Sequence, residues 1–248
     1  MTRTLNRMTA RSVVLSVLLG AHPAWATAAE LLRLTEDFGL KESTVRVALT
    51  RLVGTGDLVR SADGYRLSDR LLARQRRQDD AMRPHVKPWD GTWITLVITR
   101  VGVEPRARAA LRTALQENRF GELREGLWLR PDNLAVALPK DVVRRVRVLY
   151  SHDAEPAELA RQLWDLPDWA RTGERLLDDM ATASGIPGRF VAAAGMVRHL
   201  LTDPVLPGEL LPPAWPAKAL RESYFRFADE LAARRDPIRQ WKLVEASS

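Results

Sequence analysis

The chain has 248 residues, of which 46% are hydrophobic and 28% charged, with a net charge of +7 and no cysteine. That length holds two or three small domains with their own cores, and the hydrophobic content excludes a disordered chain. The missing cysteines exclude disulfides, thiolate metal sites and thiol nucleophiles, and no apolar run reaches the roughly 18–20 residues that span a bilayer.

Residues 9–21 read as a first helix, with Val13, Val14, Val17 and Leu18 on one face. Its "SVVLSVLLGA" follows several arginines, as in a signal peptide. The run is short, however, and His22 and Pro23 come next, so the segment reads as part of the fold. A second helix starts at "TAAE", a capping box of Thr27 and Glu30. Its apolar face includes Ala28, Leu31 and Leu32, and Gly39 ends it. The third helix lies in "KESTVRVALTRLVGTGDLVR", where Val45, Ala48, Leu49 and Leu52 share one face. Gly54 and Gly56 stop it. The pair Asp63-Gly64 between short β-prone segments signals a hairpin. Helix, helix, short turn, helix, hairpin is the order of a winged helix-turn-helix. "LLARQRRQDDAM" reads as a polar connecting helix and "RPHVKPW" as a linker.

A second unit begins at Trp93. "WITLVIT" reads as a buried strand, "EPRARAALRTALQEN" as a helix with Pro105 in its first turn, and "GLWLRP" and "VRVLYS" as strands. With a helix around residues 133–143, the order is that of a ferredoxin-like domain. From Glu155 onward the pattern is helical, interrupted by the proline-rich "DPVLPGELLPPAWP". The chain is thus α+β, with three expected segments: 1–84, the winged helix-turn-helix with its connecting helix; 85–152, the ferredoxin-like domain; and 153–248, a helical C-terminal domain.

Charge is uneven along these segments. Residues 1–90 hold 15 Lys/Arg against 10 Asp/Glu, residues 91–150 hold 11 against 6, and residues 151–248 hold 12 against 15. A polyanion therefore suits the first 150 residues and not the remainder. On the third helix, Ser43, Arg46, Val47 and Thr50 point away from the apolar stripe. An ordinary solvated helix carries Glu and Lys there. A helix laid in the major groove would instead use Arg46 on guanine, Ser43 and Thr50 on bases or phosphates, and Val47 on a thymine methyl. Thr44 and Arg51 flank this face and suit phosphates. Lys41, beside the N-cap, is a poor cap for the helix dipole but a good cation for phosphate. Arg60 and Arg66 flank the wing tip.

Catalytic signals are weak. The four histidines, His22, His85, His152 and His199, are far apart, and no metal-ligand or nucleophile motif occurs. The acid pairs in "LLDDM" and "RQDDAM" read as surface charge. The tryptophans suit core and interface packing; the alternative for Trp164, Trp169, Trp215 and Trp241 is the wall of a pocket for an aromatic or acyl ligand.

Over nearly its whole length the chain resembles the PaaX-type transcriptional repressors of aromatic-acid catabolism. The resemblance is carried by "ARSVVLSVLLG", "STVRVALTRLVGTGDLVR", "DGTWITLVI", "ELREGLWLRPDNL" and "DPVLPGELLPPAWP". It implies a winged helix on a double-stranded DNA operator, a central domain like the small CRISPR-adaptation nucleases, a homodimer, and release by an acyl-coenzyme A such as phenylacetyl-coenzyme A. Trp215, Arg221 and Tyr224 are the candidate effector contacts. The related nucleases use an aspartate at the end of the first strand of that domain. Here that strand ends in Ile98, Thr99 and Arg100, which argues against metal-dependent cleavage and for subunit joining. The expectation is a cytoplasmic repressor without cofactor, metal or membrane partner. A nucleic-acid-processing nuclease and an effector-independent DNA-binding protein are the alternatives.

Overall fold

The computed structural model describes residues 8–99, 104–135 and 138–235; Arg100 and Trp241 lie outside them. Two compact units form. One comprises residues up to Asp79, Leu176–Val197, and those from Ala219 on; the other comprises Asp80–Arg175 and Arg198–Lys218.

The first unit opens with α1 (Ala10–Gly20), β1 (Trp25–Ala26), α2 (Ala28–Glu36), α3 (Glu42–Gly54), β2 (Leu58–Arg60) and β3 (Tyr65–Leu67), followed by α4 (Asp69–Met82). The capping box at α2 closes as expected: the Glu30 N–H donates to the Thr27 hydroxyl at 3.1 Å and the Thr27 N–H to the Glu30 carboxylate at 2.6 Å. Such a cap contributes about 1 kcal/mol. The inner face of α2 is Leu31, Leu34 and Thr35, while Ala28 and Leu32 stay at the margin. The face is therefore turned from the one expected, because Leu34 supplies the next helical step after Leu31. Gly39 takes a left-handed backbone (φ 64°) just past the helix, as only glycine does without strain.

Three short antiparallel strands in the order β1-β3-β2 make the wing. The expected hairpin is present, but its tip is Ala62-Asp63, since the Ser61 N–H donates to the Gly64 carbonyl at 2.9 Å. Gly64 is needed for a different reason: a Cβ there would stand 2.4 Å from the Ala26 carbonyl oxygen of β1. Gln75 of α4 turns its side-chain amide onto the carbonyls of Leu18, Leu19 and Ala21 at 3.3, 3.0 and 2.9 Å, satisfying the open end of α1.

The core of this unit is not completed by the first 84 residues. Ile186, Phe190 and Ala193 of α9 (Gly185–Leu200) and Phe227 of α10 (Ala217–Arg235) are buried in the same cluster as Val14, Leu31 and Leu49. Phe190 meets Phe38 edge to face at 5.0 Å. A fully buried phenylalanine contributes about 1.5–3 kcal/mol. The paired ions Arg189 and Glu230, at 2.5 and 2.8 Å, join α9 to α10.

In the second unit, β4 (Trp93–Ile98), α5 (Pro105–Glu117), β5 (Gly121–Arg124), β6 (Leu127–Pro131), α6 (Lys140–Val143) and β7 (Val146–Ser151) follow in ferredoxin-like order, with sheet order β5-β6-β4-β7. The helix expected around 133–143 is a single turn. One face of the sheet, with Ile94, Leu96 and Trp128, packs on Leu111, Leu115 and Val142. The other, with Trp93 and Leu129, is covered by α7 (Pro156–Leu163), the start of α8 (Leu166–Thr182), and Leu206 and Leu210 of the proline-rich segment. That segment is pinned by the Asn133 amide donating to the Val205 carbonyl at 2.8 Å and by Arg119 donating to the Asp203 carbonyl. Arg130 is buried within the unit and bonds the carbonyls of Asn118 and Pro131; burial lowers its pKa to about 10. The edge strand β7 exposes Val148, Leu149 and Tyr150.

Candidate nucleic-acid interface

The third helix is fixed from within. Val45, Ala48, Leu49 and Leu52 are buried against α1, α2 and the wing. Their burial sets the rotation of α3 and leaves Ser43, Thr44, Arg46, Val47, Thr50 and Arg51 in solvent. Val47 is 50% exposed, an apolar side chain with no interior to enter. Lys41 is the N-cap residue and makes no side-chain capping bond.

The outer face carries one feature that sequence reasoning missed. The Arg46 Nε donates to Glu42 Oε1 at 2.7 Å, one helical turn back. Both side chains are exposed, and such a pair is worth about 0.3–0.5 kcal/mol. Glu42 therefore orients the guanidinium without holding it against a better acceptor. The Thr50 hydroxyl donates to the Arg46 carbonyl at 3.1 Å, which keeps its lone pairs outward. On the wing, Arg60 pairs with Tyr65, and Arg66 with Val59 and Trp25. Alternation along the strands puts Arg60 and Arg66 on opposite faces of the hairpin, with Arg66 beside the exposed Val59.

A groove of about 830 Å³ lies between α3 and the start of α1 and is lined by Thr9, Arg11, Thr44, Val47, Arg51 and Thr55. Two of these lining side chains meet at the buried Asp57, which receives the Arg11 guanidinium at 2.9 Å, the Thr55 hydroxyl at 3.0 Å and, on its other oxygen, Arg70. Burial alone would raise the Asp57 pKa. The Thr55 hydroxyl and the two guanidiniums outweigh it and hold the carboxyl below its ordinary value. Nothing in a sequence pattern links Arg11, Asp57 and Arg70, which lie far apart along the chain.

The candidate effector residues separate. Trp215 belongs to the second unit, where it stacks on Trp169 at 4.3 Å, and Trp169 also stacks on His199 at 4.0 Å. Arg221 and Tyr224 belong to the first unit. There a side chain at Gly20, at the end of α1, would come within 3.4 Å of the Tyr224 hydroxyl. Burial and the Asp79 charge raise the pKa of that hydroxyl. Trp93 and Trp128 are core residues, whereas Trp164 lines a cavity of about 570 Å³ with Arg119, Phe120, Leu163 and Pro204. Among the described residues no group of three or more His, Asp or Glu is placed to hold a metal ion, and no helix is long and apolar enough to cross a membrane.

A family model described as PaaX-like protein matches residues 9–71, and one described as PaaX protein central Cas2-like domain matches residues 86–154. None of the curated proteins matches the chain. Among solved structures it is similar to the uncharacterized protein Rv0674 from Mycobacterium tuberculosis, at 66% identity over 92% of this chain and 98% of that one, with a TM-score of 0.85.

Proposed function

The chain belongs to the PaaX family of transcriptional regulators, and from that premise we propose that it is a cytoplasmic, homodimeric repressor released from its operator by an aromatic acyl-coenzyme A such as phenylacetyl-coenzyme A. One observation carries the DNA-reading part. The inner face of α3 is saturated with buried apolar groups, while its outer face presents Ser43, Arg46, Val47 and Thr50 to solvent beside a wing. An α-helix fits the major groove, where a guanidinium reads guanine and an apolar group reads the thymine methyl. Lys41, Thr44, Arg51, Arg60 and Arg66 take the phosphates, which position the protein without specifying sequence.

A dimer places two such helices on half-sites separated by one helical turn of roughly 34 Å or a multiple of it. The exposed apolar groups of edge strand β7 support subunit joining through the central segment. For the effector, Arg221 and Tyr224 of the first unit are the proposed contacts, and Trp215 is a separate candidate in the second. Tyr224 abuts the end of α1, so a ligand that moves it acts on the winged helix directly.

The test uses DNA from the region upstream of the gene in a gel shift. Arg46→Ala abolishes specific binding and leaves the circular dichroism spectrum unchanged; unaltered affinity removes Arg46 from the reading surface. In a thermal-shift assay, phenylacetyl-coenzyme A at a hundred times its Kd stabilises the protein by about 2.7 kcal/mol. No shift with any acyl-coenzyme A thioester leaves an effector-independent DNA-binding protein.

A further inference from the structure

Beyond the residues of α3 and the wing, we propose that Arg11 binds a DNA phosphate and that the buried Asp57 is the residue that positions it. The inference rests on the DNA-binding reading and extends it to the groove beside α3. That groove is lined by Arg11, on α1, together with Thr44, Val47 and Arg51 of α3, so a backbone strand lying beside Val47 and Arg51 runs past Arg11.

Arg11 is held for this role. Its side chain is 62% exposed, whereas that of Asp57 is 4% exposed. One amino group, Nη2, is spent on Asp57 Oδ2. Its Nε and Nη1 make no hydrogen bond among the described residues. The carboxylate cannot turn to follow it, because Arg70 occupies the second oxygen and the Thr55 hydroxyl also donates to Oδ2. A free arginine loses rotamer freedom when it settles on a phosphate. Here that freedom is already spent in the folded protein, so binding costs less.

The electrostatics of this arrangement give the proposal a distinctive sign. If Asp57 were only a negative charge near the DNA, its removal would strengthen binding to a polyanion. If it positions Arg11, removal weakens binding.

The experiment measures binding of the full chain to a mixed-sequence 30-base-pair duplex by fluorescence anisotropy between 50 and 200 mM salt, with Arg51→Gln as the reference variant. Removing one phosphate-neutralising cation lowers the slope of log affinity against log salt by about 0.9, or about 3.5-fold in affinity across that range. Arg11→Gln, a surface change that leaves the fold intact, lowers the slope by this amount. Asp57→Asn weakens binding several-fold, and the double variant is no weaker than Arg11→Gln alone. If Arg51→Gln lowers the slope and Arg11→Gln does not, the Arg11 assignment is overturned while the DNA reading stands. Tighter binding by a folded Asp57→Asn overturns the positioning role. If the unaltered protein fails to bind any duplex, the DNA reading itself falls, and this inference with it.

Discussion

Val45 and Val47 sit two positions apart on α3 and differ only in the direction they face, which makes aspartate at each site a paired test of the interface. Val45 is 0% exposed and Val47 is 50% exposed. Fully burying a valine stabilises a protein by about 1.5–3 kcal/mol. Val45→Asp forfeits all of that and adds several kcal/mol for an unpaired carboxylate in the core. The sum approaches the whole native margin of about 5–15 kcal/mol. Val47→Asp forfeits about half the burial term, roughly 1 kcal/mol, and valine and aspartate have similar helix propensities. A loss of that size moves Tm by about 2–4 °C in a protein of this length. On DNA the order reverses. A carboxylate directed at a phosphate-lined groove costs several kcal/mol, so affinity falls at least about a hundredfold, or 2.7 kcal/mol. Differential scanning fluorimetry and anisotropy on the operator duplex read both quantities from one preparation. A Val47→Asp protein as unstable as Val45→Asp, or one that binds within twofold of the parent, refutes the assignment of this face.

Three further outcomes follow from the packing. Gly64→Ala drives a Cβ into the Ala26 carbonyl and separates β1 from β3; overpacking of this kind costs about 1–3 kcal/mol, seen as a lower urea midpoint with a weakened grip of the wing on DNA. An unchanged midpoint would show that β1 moves freely. Gln75→Leu strips the donor from the buried carbonyls of Leu18 and Leu19 and lowers stability by about 1–3 kcal/mol, with the urea m-value unaltered. His199 has its pKa lowered from 6.5, first by burial, against the opposing hydrogen bond to the Trp169 carbonyl. Below pH 6.5 the unfolded chain therefore binds more protons at this site, and stability falls until the native pKa is passed. His199→Phe keeps a ring on Trp169, so its Tm drops less between pH 7 and 5 than the parent's; an equal drop assigns the titration elsewhere.

What could be read from the sequence was what is encoded locally. The capping box of Thr27 and Glu30 and the stripe from Val45 to Leu52 rest on neighbours within two turns of one helix, and both stand as expected. Three of the four strands and the first helix of the central domain declared themselves by β-branched and apolar runs and by Pro105 at a helix start. The strand Trp25–Ala26 was illegible because two residues carry no periodicity; it exists because β3 offers it a ladder. Gly64 looked like a turn residue, and its real constraint, the Ala26 carbonyl, lies 38 positions earlier in the chain. The groove at the start of α1 was hidden for the same reason, since Arg11 and Asp57 meet only after α1 packs on α3. The amphipathic patterns of α9 and α10 announced helices but not which core would receive Phe190 and Phe227.

That last point bears on how the protein is made. A nascent chain that has just released its winged helix from the ribosome holds every residue proposed to touch DNA, yet lacks the phenylalanines that close the core beneath it. Phe190 arrives more than a hundred residues later, and Phe227 later still. A core left open in this way exposes apolar surface and is a target for chaperones and proteases. Truncated products of interrupted translation would then be cleared before they occupied an operator. Only a chain translated through α10 would carry a finished DNA-reading head, so the late packing of α9 and α10 would serve the cell as a proofreading step on its own regulator.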